Sequence, residues 1–375
     1  MRDSTVLAYF GDDPSRVYQL AQWLPVLELL DGVQPVGIVL RREDTAALVR
    51  STTELPVLVA EEFGALRELY ADLDAKVALY VNNSPHNFHS LLEPRMLHAH
   101  VNHGESDKQS MASNNAKAYD RVYVAGEAAV QRLTSALLEF DTGKLVRIGR
   151  PQLDLRRAPV LPPSSRRTVL YAPTFEGDAE YNNYSSLDRL GVAIVRQLLS
   201  VPDVRVVYKP HPRVLSSTHP GVRAAHEEIQ RLLTGEHVAL AAADILAVMP
   251  DCDAMVTDVS SVGLDWLYLR TEAPLFIADR YDDPERLRLD APVSRCADVV
   301  GSEALADLGR LVAQRLEHDE LRLARSMMRR HYFGDLKVGE STARFIDAVR
   351  ELAAHRDALL AAQVAEDPLA GEPAG

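Results

Sequence analysis

Ala158-Pro159-Val160-Leu161-Pro162-Pro163-Ser164-Ser165-Arg166-Arg167 is the stretch that decides the fold. Its prolines and serines interrupt the periodicity on either side, which marks a linker. Both flanks alternate short apolar runs with helix-length stretches, the pattern of a parallel α/β unit. Upstream, residues 6–10, 36–40, 56–60, 76–81, 97–101 and 121–125 read as strands, and 15–30, 65–73 and 127–140 as helices. Downstream, strands are expected at 168–172, 204–209, 254–257 and 275–278, with helices at 186–199, 222–233, 262–269, 303–330 and 342–363. The expected domains are an N-terminal α/β unit over 1–157 and a second over 158–335. A helix over 336–364 is expected to return to the first unit, ahead of a disordered tail over 365–375. Two such units leave a crevice between them, where ligands commonly bind.

A length of 375 residues suits two to three domains at roughly 150 residues each. The chain is 47% hydrophobic and 25% charged, which excludes a largely disordered protein. Its 41 Lys and Arg against 54 Asp and Glu give −13, and no overall basic field draws it to nucleic acid. Two cysteines, Cys252 and Cys296, cannot build a disulfide framework, so a reducing compartment is expected. Residues 1–13 lack the basic and apolar regions of a secretory leader, and no apolar run has the length of a membrane span. A cytoplasmic location is therefore expected. Several chemistries lose ground as well. No G-x-G-x-x-G follows the first strand, Gly143-Lys144 lacks the rest of a phosphate-binding loop, and neither Ser260 nor Ser261 has the glycine two positions before a nucleophilic serine.

Three stretches carry chemistry. In Leu97-His98-Ala99-His100-Val101-Asn102-His103-Gly104, three histidines invite a metal. Strand alternation puts His98 and His100 on one face and His103 on the other, unless the chain turns at Asn102. His103 reads either as a general base at a strand end, with Gly104 letting the chain turn, or as a solvated loop histidine. In Tyr208-Lys209-Pro210-His211-Pro212-Arg213, two prolines fix the backbone around one histidine. Lys209 and Arg213 add the charge that suits a phosphate, and a rigid surface turn is the equal alternative. In Thr257-Asp258-Val259-Ser260-Ser261, a short strand runs into a helix with a serine at its start. That is an anion site or plain helix capping.

Taken together, these residues resemble the CDP-glycerol glycerophosphotransferase family, enzymes that build teichoic-acid-type polymers. His103-Gly104 with Lys108 resembles its HG-x-x-x-K segment, and Gly149-Arg150-Pro151-Gln152-Leu153-Asp154 its G-x-P-x-x-D turn. Tyr171-Ala172-Pro173-Thr174-Phe175 matches YAPTF, Lys209-Pro210-His211-Pro212 resembles K-x-HP, and Thr257–Ser261 resembles TDYSS. Tyr332-Phe333-Gly334-Asp335, with Glu340-Ser341, resembles its C-terminal segment. The match is colinear from about His103 to Arg350. Val259 replaces the usual tyrosine, and Glu105-Ser106-Asp107 is more acidic than the family's run.

The resemblance implies a GT-B-like α/β fold of two Rossmann-type parallel-sheet domains, with neither metal nor other cofactor. It implies transfer of glycerol phosphate, or a related alditol phosphate, from CDP-glycerol or CDP-ribitol to an acceptor hydroxyl, with release of CMP. The acceptor would be a saccharide, a polyol phosphate or a lipid-linked unit of cell-wall or capsular polymer. On this reading His103 is the base, and His211 and Lys209 stabilise pyrophosphate charge. Ser260 and Ser261 hold phosphate oxygens, Asp258 orients a donor hydroxyl or a neighbouring cation, and Gly104, Lys108, Pro173, Thr174 and Arg213 complete the substrate contacts. A GT-B sugar transferase or nucleotide-sugar epimerase is the rival. A lipid-linked acceptor implies peripheral contact with the inner face of the membrane. Arg322, Arg325, Arg329 and Arg330 on one late helix are the candidate basic patch, and a solvated, acid-balanced helix face is the alternative.

Overall fold

The computed structural model describes residues 4–108, 111–177, 180 and 183–366. From 367 onward, the expected tail lies outside the described residues. Seven strands, β1 (Val6–Phe10), β2 (Val36–Leu40), β3 (Val57–Val59), β4 (Val77–Tyr80), β5 (Leu97–His100), β6 (Arg121–Val124) and β7 (Leu145–Arg147), form a parallel sheet in the order β3-β2-β1-β4-β5-β6-β7. Six more, β8 (Arg167–Ala172), β9 (Val204–Tyr208), β10 (Val238–Ala239), β11 (Ala254–Thr257), β12 (Leu275–Ala278) and β13 (Asp298–Val300), form a second in the order β10-β9-β8-β11-β12-β13. Parallel neighbours cannot be joined by tight hairpins, so the chain returns through crossovers that cover both faces of each sheet. That is why the strands read as continuous apolar runs. In β1, Val6, Ala8 and Phe10 enter one core while Leu7 and Tyr9 enter the core on the opposite face.

Proline and short edge strands account for the departures from expectation. The helix expected over 15–30 breaks into Tyr18–Ala21 and Leu24–Asp31, because Pro25 is accepted only in a first turn. The expected 303–330 helix is three, Ser302–Leu305, Leu308–Glu317 and Arg322–Phe333. Before the last of these, Asp319 accepts the Leu321 N–H at 3.1 Å and pairs with buried Arg325. β7, β10 and β13 have two or three residues each and leave no periodicity to read.

The chain divides into two compact units. One comprises Met1–His103, Ala112–Leu155 and Leu336–Gly375, the other Gly104–Met111 and Arg156–Asp335. Segment Gly104–Met111 thus leaves the first unit, in which the continuous 1–157 assignment had placed it. Within it, Asp107 accepts from the Tyr332 hydroxyl and from the Val293 N–H at 3.4 Å. The helix Glu340–Glu366 belongs to the first unit. Phe345 is fully buried with its ring 5.1 Å from that of Trp23, beside Val349 and Leu352. Burial of a phenylalanine side chain contributes about 1.5–3 kcal/mol.

The late arginines do not form a free basic patch. Arg325 is buried against Asp319, Arg322 pairs with Glu272, Arg330 pairs with Asp335 at 2.8 Å, and Arg329 lies over the Tyr268 ring at 4.6 Å. No helix among the described residues is long and apolar enough to cross a membrane.

The 149–154 turn anchors the last helix. Asp154 accepts the Thr342 N–H at 2.7 Å and its hydroxyl at 3.0 Å, satisfying donors of the helix's first turn. Gly149 sits at φ +77°, and a Cβ there would lie 2.2 Å from Ser341 Oγ and 2.5 Å from Leu336 Cδ1. Gly149→Ala is therefore expected to destabilise the protein by about 2–4 kcal/mol, from backbone strain and overpacking together. A lowered urea midpoint at unchanged slope checks this.

Candidate functional site

The order of the second sheet fixes where its chemistry collects. From β8 the chain moves to β9 on one side, while β11 lies on the other, so the carboxyl ends of β8 and β11 flank a topological switch point. Pro173 and Thr174 leave β8 there, and Asp258 to Ser260 leave β11. The two ends are joined directly. Thr257 Oγ1 donates to the Ala172 carbonyl at 2.7 Å, and the Thr174 N–H donates to Asp258 Oδ2 at 2.7 Å. Asp258 is fully buried, and burial pushes its carboxyl up to about 6 against the opposing pull of Ser186, the Thr174 N–H and Lys108.

Lys108 arrives from segment Gly104–Met111. Its Nζ donates to Thr174 Oγ1 at 3.3 Å and lies 5.4 Å from the Phe175 ring centroid and 5.6 Å from that of Tyr184. Burial lowers its ammonium to about 8, with Asp258 resisting and Arg213 assisting the shift. Phe175 also carries the Arg213 guanidinium at 4.2 Å and the His211 ring at 4.8 Å. One aromatic ring therefore gathers three nitrogen-bearing side chains. Sequence reasoning quoted Phe175 but gave it no role, and an aromatic residue after a strand is too common to flag.

His211 is held on both sides. Its N–H donates to the Pro173 carbonyl at 3.1 Å, and its Nδ1 accepts the Arg213 N–H at 3.2 Å at the start of the 3₁₀ turn Pro212–Ser216. With Nδ1 accepting, neutral His211 carries its proton on Nε2. Lys209 is placed differently from expectation. Its ammonium is buried and donates to the Pro210 and Ala241 carbonyls at 2.8 and 3.4 Å, so it braces the turn that carries His211. Burial lowers it to about 8, and Asp244 opposes the shift.

The helix Ser261–Leu269 starts here with Ser260 at its cap position. Plain capping does not describe it. Ser260 is 8% exposed, its hydroxyl makes no capping hydrogen bond, and among the described residues Oγ meets no partner. A buried hydroxyl beside the free N–H groups of a helix start fits an anionic oxygen. Ser261 is the first helical residue and is partly exposed, and Asp265 one turn on is 2% exposed. Val259 is buried.

His103 belongs to the first unit, at its boundary with Gly104. The chain does turn at Asn102, which adopts φ +52°, a left-handed conformation that asparagine tolerates. Trp23 Nε1 donates to the Asn102 carbonyl at 2.5 Å, Asn102 Oδ1 accepts the His103 N–H at 2.8 Å, and Arg150 Nη1 donates to the His103 carbonyl at 2.7 Å. The imidazole meets the Tyr18 ring edge-on at 6.2 Å. Arg150 was legible only as part of its turn motif. The other two histidines are turned inward. His98 contacts Tyr80 Oη at 2.8 Å and the Glu93 carbonyl at 2.9 Å, and His100 stacks on Tyr119. Among the described residues no group of three or more His, Cys, Asp or Glu side chains is placed to hold a metal ion.

With this geometry in hand, comparison with known proteins separates fold from chemistry. A family model described as CDP-glycerol:poly(glycerophosphate) glycerophosphotransferase matches residues 95–351. No curated protein matches the sequence. The fold is similar to that of a UDP-N-acetylglucosamine 2-epimerase from Listeria monocytogenes, at 14% identity and TM-score 0.63 over 94% of this chain and 97% of that one. It is also similar to the wall teichoic acid polymerase TagF, at 14% identity and TM-score 0.61 over 95% and 90%. A UDP-GlcNAc 2-epimerase from Neisseria meningitidis gives 12% and 0.59 over 93% and 99%. These likenesses establish two Rossmann-type sheets of the GT-B class and leave the reaction to the motifs.

Two outcomes are expected. If ionised Asp258 and protonated Lys108 are both required, turnover falls as pH drops below about 6 and as it rises above about 8. Lys108→Arg, which keeps its charge, moves the alkaline limb upward in a pH–rate profile. Phe175→Leu removes the ring under Arg213 and weakens anion binding about three- to tenfold, and Phe175→Tyr restores it, as measured by calorimetry with CDP.

Proposed function

The chain belongs to the CDP-glycerol:poly(glycerophosphate) glycerophosphotransferase family, and from that premise we propose that it transfers glycerol phosphate from CDP-glycerol to an acceptor hydroxyl in wall-polymer synthesis. The observation that carries this reading is the unpartnered, buried Ser260 hydroxyl at a helix start, on a switch point also lined by Lys108, Arg213 and His211. Such a site suits a pyrophosphate. The fold alone would serve a sugar-nucleotide enzyme equally well, so the choice rests on the family match.

His103 takes the proton from the acceptor hydroxyl. That oxygen bonds to the phosphorus bearing the glycerol, and the bond from this phosphorus to the bridging oxygen breaks. CMP leaves with the electron pair. The Nε2–H of His211, the Lys108 ammonium and the Arg213 guanidinium meet the charge gathering on the leaving phosphate, while Ser260 and the N–H groups near Ser261 hold the other oxygens. Asp258 holds Thr174 and keeps Lys108 charged. Pro173 orients His211 through its carbonyl, Lys209 braces the same turn, and Gly104 lets the chain bend after His103. A lipid-linked acceptor would bring the enzyme to the inner face of the cell membrane.

CMP release is the decisive measurement, from CDP-glycerol and CDP-ribitol with UDP-sugars as controls. Wild type is expected to release CMP when given a disaccharide acceptor. His103→Ala and His211→Ala should lose transfer by a hundredfold or more, with His103→Ala keeping its affinity for the donor. Ser260→Ala should weaken donor binding about tenfold, the effect of one hydrogen bond to a charged group. UDP release, or CMP release indifferent to both histidines, would overturn the reading.

A further inference from the structure

The first sheet has its own switch point, between β1 and β4, and a polar cluster lies there that the transfer chemistry leaves unused. Asn82 Nδ2 donates to Asp12 Oδ2 at 2.6 Å and to Gln19 Oε1 at 2.9 Å, and the Ser84 hydroxyl donates to Asp12 Oδ1 at 3.1 Å. An ionised carboxylate only accepts, so the Asn82 amide has one orientation and its Oδ1 must face away from Asp12. The same logic fixes Asn87, whose Nδ2 donates to the Asn82 carbonyl at 2.7 Å and to Tyr119 Oη at 3.0 Å. Asn82 is 3% exposed and Asn87 fully buried, and Oδ1 of each meets no donor. His100 completes the group. It lies 5.0 Å from the Tyr119 ring, uses one nitrogen on the Asn82 backbone, and leaves buried Nε2 without a partner. Burial draws its pKa down to about 4, so at neutral pH the ring is neutral, and with its proton on the nitrogen bonded to the Asn82 backbone, Nε2 is a lone pair.

Three acceptors thus cluster around the carboxyl end of β4, and among the described residues none donates to them. Unpaired buried acceptors are costly, and what completes them is a group that donates hydrogen bonds. We propose that this cluster is a hydroxyl-binding subsite for the acceptor of the transfer proposed above, selecting an uncharged polyol or saccharide terminus over one bearing a phosphate. The proposal rests on that reading for the identity of the reaction. A hydroxyl offers its proton to the lone pairs, whereas a phosphate offers only acceptors and would face Asp12 besides. The nearby cation, Arg16, already lies 3.7 Å from Asp12. Asp12, Gln19, Asn82, Ser84 and Asn87 precede residue 95, where the family match begins, while His100 lies within it.

The test titrates the full, isotope-labelled chain with glycerol, ribitol and inorganic phosphate, following the side-chain amide resonances of Asn82 and Asn87. Saturable shifts with the polyols, and at least tenfold weaker ones with the phosphate, are expected. In the CMP-release assay, Asn82→Ser should raise the KM for a disaccharide acceptor about tenfold with donor affinity unchanged. Ser84→Ala carries the same test should Asn82→Ser fail to fold. Amides that no polyol shifts, in a chain that does release CMP, mean ordered water only and overturn the subsite while the transferase reading stands. Inorganic phosphate that binds as well as the polyols overturns the selectivity. Amide shifts in a chain that releases no CMP support the hydroxyl site and remove the reaction assigned to it.

Discussion

A single carboxylate holds the second unit's site together. Asp258 is fully buried and would be a liability were it not bonded to the Thr174 N–H, which ties the end of β11 to the end of β8. Everything chemical in that unit is placed relative to this bond. Thr174 meets Lys108 through its hydroxyl, and its carbonyl takes the Ser185 hydroxyl at 2.9 Å. Arg280, in turn, holds the Ser185 carbonyl at 2.8 Å. The residue before Thr174 fixes His211, and the residue after it supplies the ring under Arg213 and Lys108. The buried charge also explains why Lys108 keeps a proton in an apolar setting, since Asp258 is the counter-ion that offsets its burial.

Much of this was legible in the sequence, for a physical reason. Strands buried on both faces leave continuous apolar runs, and anion-handling residues concentrate where such runs end, so Thr174, His211, Asp258 and Ser260 stood out at strand ends. What stayed hidden depends on contacts across the chain. Lys108 sits 66 residues from Thr174, and spacing could not assign its segment to the second unit. Phe175 gains its role only from what gathers on it. On the basic helix the acid-balanced alternative holds, through Asp319 just before it and through Glu272 and Asp335, which only the fold brings to Arg322 and Arg330. The first unit's polar cluster left no signal at all, since asparagine and serine after a strand read as ordinary turn residues.

Ser260 shows how a local rule, once broken, becomes informative. Serine before a helix caps it as a matter of routine, and that use would have removed it from the site. Here the serine takes the cap position without the cap bond, leaving its hydroxyl and the helix donors open together. A reaction that must hold a pyrophosphate while one of its bonds breaks benefits from that arrangement directly.

The interleaving of the two units carries a consequence for how the protein is made. The Gly104–Met111 segment belongs to the second unit, and the helix Glu340–Glu366 belongs to the first. During synthesis the first sheet therefore leaves the ribosome lacking Phe345, Val349 and Leu352, and the core that Trp23, Leu24 and Leu27 begin on that face is complete only when the last helix emerges. The second unit has all its strands well before then. The unit begun first therefore completes its core after the unit begun second.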